Sequence, residues 1–535
     1  MWQDLPEAQR QEYKKMILAF ASLSKMFTQK EGSKNDEIAG TENVKKIDIP
    51  VPVVNSKYQE TVFQRVFGAT AEDINNTSFD AAIQLPLKNG KVKKYLIGLK
   101  VFRESSASGQ KVAQFKANRG EWSGMLRQME AAKGKKTAEI NQLNHDLYMK
   151  MARTIADVRN ARIESSEANL KGFQVDEQKD DVEAVYHFIM PMLNNSSVPC
   201  LRVGETCYSK IDIDNLTVKG CANKNTPANF KFSDGQHEYR FSASDHQLSM
   251  NFKGYELKDE WEVIYAEDAY AIFAGIAKQI YGDNGTEKRA EIVADNIAES
   301  YSWKIKVEKC SGFNGFNGAP KMAKNQRVKN IELIRQQYQG TSQQVEANKI
   351  CQLVENVFTV RDADERNAVR QDILKRLDEL GDSELKAKVK SMILRPQNEM
   401  YIPLPDAKKF HEAHPDFFAP GAGTFLSEPG KKNKLAKPKE QRMFDLVFEP
   451  SGKVIRSFIT QDNGKAIESE QHQDILGEWI LQGIFQLKPY EPLTEERLER
   501  VGINGMRLYK KAGSEAVHLK FIQIDENELP QDLLV

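Results

Sequence analysis

The stretch from Phe79 to Lys116 constrains the fold of this chain most, because it reads as three short strands joined by tight turns. Short apolar-rich runs predict strands over Phe79–Leu85, Lys93–Phe102 and Lys111–Lys116. Asn89-Gly90 lies between the first two strands, and Asn-Gly is the strongest short-range hairpin signal because its backbone suits a type I′ turn. The pattern therefore predicts an antiparallel meander.

An acid and a lysine lie at the same end of the first two predicted strands. Asp80 lies at the start of the first strand, and Lys100 lies near the end of the second. The pairing resembles the PD-(D/E)XK nuclease core. There, carboxylates hold a divalent metal over the scissile phosphate, and the lysine positions water or stabilises the developing charge. The resemblance implies that Asp80 binds metal and that Lys100 is catalytic.

The chain departs from that family pattern at one position. The pattern expects an acid two residues before the lysine, where this chain has Gly98. Glu60 is the candidate for the second carboxylate, because it lies in a helix predicted over Lys57–Phe67, and a helix before the core commonly donates a glutamate in this superfamily. The expected metal ligands are therefore Asp80 and Glu60, and the expected cofactor is Mg²⁺.

Two further residues could face a phosphate. Gln114 and Lys116 are two positions apart on the third predicted strand, so their side chains point to the same side. We count both among the candidate catalytic residues, together with Asp80, Lys100 and Glu60. An ordinary meander, in which Asp80 caps a turn and Lys100 is a solvated edge residue, stays open as the alternative.

A second acid-x-lysine sequence occurs downstream. Glu256-Leu257-Lys258 competes with Asp80 and Lys100 for the catalytic role, and Asp234 and Asp245 precede it. It ranks lower because Lys258 runs directly into Asp259-Glu260, which is typical of an exposed turn.

The charge of the whole chain is balanced, but its local distribution is not. Lys plus Arg and Asp plus Glu each number 76 in the 535 residues, so net charge neither favours nor excludes a nucleic-acid partner. Between Ile83 and Lys136, however, the sequence contains 13 Lys and Arg but only 3 Asp and Glu. This surplus overlies the predicted meander, where a polyanion would be expected to lie. A solvated basic face is the plainer interpretation.

Cysteine usage and apolar content indicate a cytoplasmic protein. The five cysteines are widely spaced and form no CxxC pair, so neither a structural zinc site nor a disulfide framework is expected. The polar start of the sequence does not resemble a signal peptide. No apolar run approaches the roughly 20 residues that span a bilayer.

The coarse pattern predicts an α+β multidomain protein with four parts. Residues 1–180 would form a PD-(D/E)XK-like α/β nuclease core with a helical N-terminus. Residues 181–325 would form an antiparallel β-rich module, either separate or part of the nuclease domain. Residues 326–396 would form a helical connector, and residues 397–535 a small β-barrel of short strands with regular turns.

The last part carries a second resemblance. Its motifs are, in order, EMYIPLP, HPDFF, FEPSGKVIRSFITQDNGKAIES, LGEWILQGIFQL and GINGMRLYK. From Glu399 to Asp525 the sequence resembles the C-terminal domain of NgoFVII-type restriction endonucleases, which adopts a DNA-binding pseudobarrel. The N-terminal part of that family carries paired HxK motifs of the phospholipase D type. This chain has no HxK pair, so that chemistry is excluded.

The resemblance implies two arms that clasp the major groove and read base edges. One arm would lie between Asp406 and Arg442, and the other at the turn from Gln461 to Lys465. Amide side chains suit contacts to adenine, and lysine suits guanine or phosphate. The expected DNA-binding residues are Lys408, Lys409, Lys431, Lys432, Lys434, Arg442, Gln461, Asp462, Asn463 and Lys465.

Together these features predict a sequence-specific, Mg²⁺-dependent restriction endonuclease whose partner is double-stranded DNA. No membrane partner is expected. A homodimer, including one that forms only on DNA, and a cognate methyltransferase as a genetic partner would be expected. Three alternatives stay open: an endonuclease that depends on modified cytosine, a non-catalytic DNA-binding regulator with a degenerate nuclease domain, and a subunit of a larger defence complex.

Overall fold

The computed structural model describes residues 1–26, 49–71, 79–86, 92–173, 182–281, 297–318, 322–360, 362–428, 433–471 and 473–534. The chain divides into two compact units. Unit 1 comprises residues 1–171 and 177–296, and unit 2 comprises residues 172–176 and 297–535. Both units combine helices with β-sheets, which confirms the predicted α+β class. Within these described ranges, no helix is both long and apolar enough to cross a membrane.

Unit 1 contains helices and strands that follow one another in groups along the chain. Its helices are α1 (Glu7–Ser22), α2 (Ser56–Phe67), α3 (Arg119–Glu130), α4 (Thr137–Lys171) and α5 (Ala269–Tyr281). Its strands are β1 (Thr70–Ala71), β2 (Ala81–Pro86), β3 (Val92–Val101), β4 (Gln110–Gln114), β5 (Val182–Leu193), β6 (Pro199–Cys207), β7 (Thr217–Cys221), β8 (Phe230–Ser233), β9 (Glu238–Ser242), β10 (Gln247–Met250) and β11 (Glu256–Glu262).

A six-stranded sheet with the order β1-β2-β3-β5-β6-β11 forms the centre of unit 1. Neighbouring strands are antiparallel except β3 and β5, which are parallel. A parallel pair needs a crossover connection, and the chain provides it through α3 and α4. Ile97 joins a core that includes Phe63 of α2, whereas Leu96 joins a core that includes Tyr148 of α4. The central sheet is therefore buried on both faces.

A second, five-stranded sheet has the order β4-β10-β9-β8-β7 and is antiparallel throughout. Phe230, Phe241 and Leu248 on one face share a core with α4. The alternating side chains on the other face are polar. Strands β4 and β10 come from either side of the boundary predicted at residue 180, so the segment up to β11 completes the sheets of unit 1 instead of standing apart.

Unit 2 contains one seven-stranded sheet and two groups of helices. Its strands are β12 (Ile297–Lys304), β13 (Ile402–Pro403), β14 (Met443–Glu449), β15 (Lys453–Ile459), β16 (Ala466–Ser469), β17 (Gly505–Lys511) and β18 (Val517–Ile522). Its helices are α6 (Lys324–Gln337), α7 (Gln344–Val357), α8 (Ala363–Leu380), α9 (Ser383–Ile393), α10 (Ala407–Ala413), α11 (Gln473–Gly477) and α12 (Glu495–Val501). A π-helical turn, Glu478–Ile484, follows α11.

The sheet of unit 2 has the order β12-β17-β18-β14-β15-β16-β13 and is open at both described edges. The pair β14 and β18 is parallel, and the other neighbours are antiparallel. Strand β12 joins this sheet from upstream of the predicted barrel, because it pairs with β17. Helices α6 to α9 occupy the predicted connector and enclose their own apolar core.

Candidate active site

The β2–β3 register brings the predicted acid and lysine together. Asp80 directly precedes β2, and the pair Ala81–Ile97 fixes the alignment of the two strands. Oδ2 of Asp80 accepts the N–H of Leu99 at 2.6 Å and lies 3.7 Å from Nζ of Lys100. About a quarter of each side chain is exposed, since the values are 27% for Asp80 and 24% for Lys100. A ligand could therefore reach both groups.

Glu60 is presented by α2, on whose inner face Val62, Phe63 and Phe67 are buried. The helix begins at an Asn55 side chain that accepts the N–H of Tyr58, and it ends at Gly68 in a left-handed conformation. Only 18% of the Glu60 side chain is exposed, and its carboxylate lies 2.8 Å from Nζ of Lys57. The helix predicted around Glu60 is therefore present, with a lysine that the sequence reasoning did not single out.

The pKa of Asp80 depends on the charges of Glu60, Lys100 and Lys57. Burial raises the pKa of Asp80, and the negative charge of Glu60 raises it further. The Lys100 charge, the Leu99 N–H and the Lys57 charge oppose this rise. Two carboxylates that repel each other, in a partly desolvated place, are stabilised by any cation that binds between them.

Gly98 leaves the strand without a second carboxylate. Continuing the β2–β3 register by one residue brings Gly98 opposite Asp80, on the same face as Lys100. Within the described residues, no group of three or more His, Cys, Asp and Glu side chains is arranged to hold a metal. Asp80 and Glu60 still suit Mg²⁺, which usually keeps several waters and binds one or two carboxylates together with substrate phosphates.

Gln114 and Lys116 lie away from the sheet that carries Asp80. The third strand spans Gln110–Gln114 and pairs with β10, so it belongs to the five-stranded sheet and does not extend the predicted meander. Gln114 Oε1 accepts from Nζ of Lys111 at 3.0 Å, and its amide nitrogen donates to the carbonyl of Asp245. Lys116 is exposed beyond the end of the strand.

Lys111 nevertheless links this strand to the candidate site. Burial lowers the pKa of Lys111, and the positive charges of Lys116 and Lys100 lower it further. Lys111 is therefore repelled both by Lys116 and by Lys100 of the central sheet. A bound polyanion would relieve this repulsion, as expected for the basic surplus found in the sequence.

A row of polar side chains crosses the outer face of the five-stranded sheet. Lys111 pairs with Ser249, Ser249 with Arg240, and Arg240 with Lys231, so the four residues lie side by side on four strands. Lys111, Arg240 and Lys231 are exposed. A cavity of about 480 Å³ lies on this face, with Lys231, Arg240, Ser249 and Lys253 in its lining. Sequence alternation around Asp234-Gly235 indicated the hairpin but not this cationic row.

The rival acid-x-lysine sequence is occupied by other ion pairs. Lys258 Nζ lies 2.7 Å from Glu256 and 3.6 Å from Glu205, and Glu205 is only 4% exposed. The stretch belongs to β11 at the edge of the central sheet and is not a turn. Lys258 therefore neutralises a buried acid instead of facing a ligand.

The candidate DNA-binding residues of unit 2 fall into three groups. Lys408 and Lys409 are exposed on α10, and Lys434 is exposed beside the turn. Lys431 and Lys432 lie outside the described residues. Arg442 is 4% exposed, and its guanidinium donates to the carbonyls of Lys437 and Ile459. Burial lowers the pKa of Arg442, so this arginine supports its loop from within, which differs from the surface position expected from the sequence.

The two predicted arms of unit 2 meet in one surface. The N–H of Leu435 donates to the carbonyl of Gln461, and the N–H of Asn463 donates to the carbonyl of Asn433 at 2.7 Å. Lys434 and Asp462 form an isolated β-bridge. The lysine-containing loop and the Gln461–Lys465 turn are therefore held side by side.

The turn itself is the one that its sequence predicts. Asn463 and Gly464 have φ values of 56° and 59°, as a type I′ turn requires. A Cβ at Gly464 would clash with the ring of His411, which is fully buried. Gln461, Asp462 and Lys465 are exposed, and Lys465 Nζ lies 3.4 Å from Asp462. The turn thus presents an amide, a carboxylate and an ammonium group to solvent.

Comparison of this chain with models of protein families and with curated proteins gives no match.

Proposed function

We propose that this protein is a Mg²⁺-dependent, sequence-specific DNA endonuclease of the restriction type. The observation that carries the proposal is the approach of Lys100 to Asp80 across the β2–β3 register, with Glu60 supplied by the preceding helix. This arrangement shares three features with the PD-(D/E)XK core: an acid and a lysine on neighbouring strands, and a glutamate from the helix before them. Glu60 would stand in for the acid that the pattern places at Gly98.

The proposed chemistry is phosphodiester hydrolysis that leaves a 5′-phosphate, as in the superfamily. Asp80 and Glu60 would hold Mg²⁺, which supplies Lewis acidity at the scissile phosphate. Lys100 would hold the attacking water and stabilise negative charge on the phosphate oxygens. Nζ of Lys100 lies 3.7 Å from the carboxylate of Asp80, so the ammonium group would stand beside the bound metal.

The distribution of cations supports a DNA substrate. Lys111 lies close enough to Lys100 and to Lys116 for its charge to interact with both. Arg240 and Lys231 extend the positive charge across the five-stranded sheet. In this proposal, these residues contact the phosphate backbone without reading sequence.

Target recognition is assigned to unit 2. The proposal treats its open sheet as the pseudobarrel of NgoFVII-type enzymes, in which two arms read base edges. Gln461 and Asn463 would contact bases, while Lys408, Lys409, Lys434 and Lys465 would contact phosphates or guanine. Arg442 would support the lysine-containing loop through its hydrogen bonds to the carbonyls of Lys437 and Ile459. Support comes from the hydrogen bonds that join the two arms into one exposed surface.

A cavity in unit 2 favours the modification-dependent form of this activity as a second candidate. Its volume is about 250 Å³, and its lining includes Trp303, Tyr401, Asp406 and Lys465. Enzymes that examine a single base often turn it out of the duplex into a pocket of aromatic and polar side chains. A flipped, modified cytosine would be the occupant.

Digestion of unmethylated phage DNA and of its cytosine-modified counterpart, each with Mg²⁺ and with EDTA, tests the proposal. We expect discrete Mg²⁺-dependent fragments, and the difference between the two substrates identifies the modification requirement. Asp80→Ala should abolish cleavage and retain binding in a gel shift, while the matched surface variant Asp146→Ala should cut normally. Normal cleavage by Asp80→Ala would overturn the site assignment. Sequence-specific binding without any cleavage would support the regulator with a degenerate nuclease domain.

A further inference from the structure

Cys207 is placed against a histidine from a different part of unit 1. It is the last residue of β6 and is exposed, and its Sγ lies 3.4 Å from Nε2 of His237 in the turn before β9. The Sγ atom is also 3.9 Å from the hydroxyl of Ser209. A thiol within hydrogen-bond reach of an imidazole is the arrangement in which histidine activates a nucleophile.

The histidine is in turn backed by a fixed carboxylate. Nδ1 of His237 lies 4.0 Å from Oδ2 of Asp234, whose side chain is 1% exposed. Oδ1 of Asp234 accepts the N–H groups of Gln236 and His237, and Oδ2 accepts the hydroxyl of Tyr239 at 3.2 Å. Within the described part of the chain, Nδ1 of His237 has no hydrogen-bond partner although the side chain is only 11% exposed. The acid is thus positioned to stabilise a positively charged imidazole ring.

The electrostatics separate Cys207 from the other thiols. The hydrogen bond with His237 lowers the pKa of Cys207 against the effect of burial. The hydrogen bond with Cys207 raises the pKa of His237, and Asp234 adds to this, while burial and the Arg159 charge oppose it. By contrast, burial raises the pKa of Cys200, Cys221 and Cys351.

A cavity next to the thiol restricts which reagents can approach. It has a volume of about 380 Å³, and its lining includes Cys207 and His237 together with Glu205, Glu238 and Glu256. A small electrophile fits this space.

We infer that Cys207 and His237 form a thiolate–imidazolium pair that reacts with small hydroperoxides, so that Cys207 is a site of oxidation to a sulfenic acid. The thiolate attacks one peroxide oxygen, an S–O bond forms and the O–O bond breaks. The cysteine is oxidised to a sulfenic acid and the peroxide is reduced to water or an alcohol. The departing oxyanion takes its proton from the His237 imidazolium. This chemistry is independent of the nuclease proposal.

The test treats the intact protein with hydrogen peroxide and a dimedone probe, and mass spectrometry measures labelling at each cysteine. Cys310, whose Sγ accepts from the guanidinium of Arg366 at 3.5 Å, is the comparison within the same chain. We expect labelling of Cys207 to be about ten-fold faster than that of Cys310 and to slow by a similar factor in His237→Gln. The matched variant His145→Gln, at an exposed histidine on α4, should leave the rate unchanged. Equal labelling of Cys207 and Cys310, or no effect of His237→Gln, would overturn the inference.

A second measurement avoids any dependence on the folding of the variant. The rate of iodoacetamide alkylation at Cys207 in the unmodified protein is followed from pH 5 to 9. A paired thiolate reacts well below the ordinary cysteine pKa of about 8.5. A rate that rises only around that ordinary value would contradict the pair, whereas rapid alkylation near pH 6 would support it.

Discussion

Nζ of Lys100 lies 3.7 Å from Oδ2 of Asp80, and the same oxygen accepts the backbone N–H of Leu99. Strand β3, which carries Lys100, thus also fixes the Asp80 carboxylate through a main-chain hydrogen bond. Because the main-chain bond does not depend on the lysine side chain, the charge at Lys100 and the position of Asp80 can be altered separately.

Asp80→Asn should separate catalysis from folding. The amide can still accept from Leu99, but it cannot serve as a charged metal ligand, so we expect cleavage to fall by about 10²-fold or more. Stability should stay the same or rise at neutral pH. The pKa of Asp80 is raised on folding by burial and by Glu60, so the wild type loses stability as pH rises from the unfolded value of about 3.9 through the folded one. Thermal unfolding at pH 4 and pH 8 measures this difference. A large drop in melting temperature at pH 8 would contradict it.

Lys100→Met should lower cleavage by about 10²-fold and move the acid side of the pH–rate profile to higher pH in any residual activity. The reason is that the Lys100 charge opposes the rise in the pKa of Asp80, so its removal keeps Asp80 protonated at higher pH. Lys100→Arg keeps the charge and is the matched control. Single-turnover rates between pH 5 and 9 give the profile, and an unshifted acid limb in Lys100→Met would disprove the coupling.

Arg240→Ala and Lys231→Ala should each weaken DNA binding equally for all sequences. Each lost phosphate contact should reduce the slope of log K against log salt by about 1. Titrations between 50 and 300 mM NaCl with two unrelated duplexes measure the slope. Lys375→Ala, at an exposed lysine of α8 in unit 2, serves as the control because it is not a member of the cationic row. A sequence-dependent loss of affinity would speak against a backbone contact.

Asn463→Gly should relax sequence discrimination while preserving the fold. Glycine tolerates the φ of 56° that Asn463 adopts, so only the amide side chain is lost. We expect discrimination at one base pair to fall by about 1–3 kcal/mol, with an unchanged salt slope. Competition binding with single-base variants of the target detects the change, and Gln339→Gly, at an exposed loop position between α6 and α7, is the control. Unaltered discrimination would remove Asn463 from the recognition surface.

Glu205→Gln should destabilise unit 1 at neutral pH. Its carboxylate accepts the N–H of Trp2 at 2.9 Å and lies 3.3 Å from Nδ1 of His187 and 3.6 Å from Nζ of Lys258. Replacing one member of such a buried set costs about 3 kcal/mol. Although burial favours the neutral acid, the His187 hydrogen bond and the Lys258 charge lower the pKa of Glu205.

The pH dependence of this last effect has a definite sign. Glu205 stabilises the folded wild-type protein at pH values above its unfolded pKa of about 4.3. This stabilisation is lost as the pH falls through the lower pKa that Glu205 has in the folded state. Urea unfolding at pH 7 and pH 3 should therefore find a large difference between wild type and Glu205→Gln at pH 7 and a small one at pH 3. Glu262→Gln, at an exposed acid of the same β11 strand, should behave like wild type at both values.

Local patterns were sufficient for the parts of the fold that depend on neighbouring residues. The helix around Glu60 and the strands that carry Asp80 and Lys100 follow from residue patterns within short windows. The Asn463-Gly464 turn follows from the φ values that its two residues tolerate. These elements agree with the structure to within one or two residues at their ends.

Long-range pairing was not predictable from the same signals. Strand β4 was assigned to the meander because it follows β3 in sequence, yet its partner is β10. Arg159 and Arg162 of α4 are each at most 2% exposed, and they donate to the carbonyls of Ser209 and Gln114. Burial lowers the pKa of Arg162 to about 10. A surplus of positive charge in a sequence does not reveal which guanidinium groups face inward.

The pairing of β4 with β10 has a consequence for synthesis on the ribosome. Strand β4 emerges long before β10, and β5 and β6 must also wait for β11 to complete the central sheet. Such non-local pairings form late because their loop-closure entropy has to be overcome first. A nascent chain that already contains Asp80 and Lys100 therefore has neither sheet finished. The site proposed to act on DNA would therefore be complete only after about the first half of the chain has been translated.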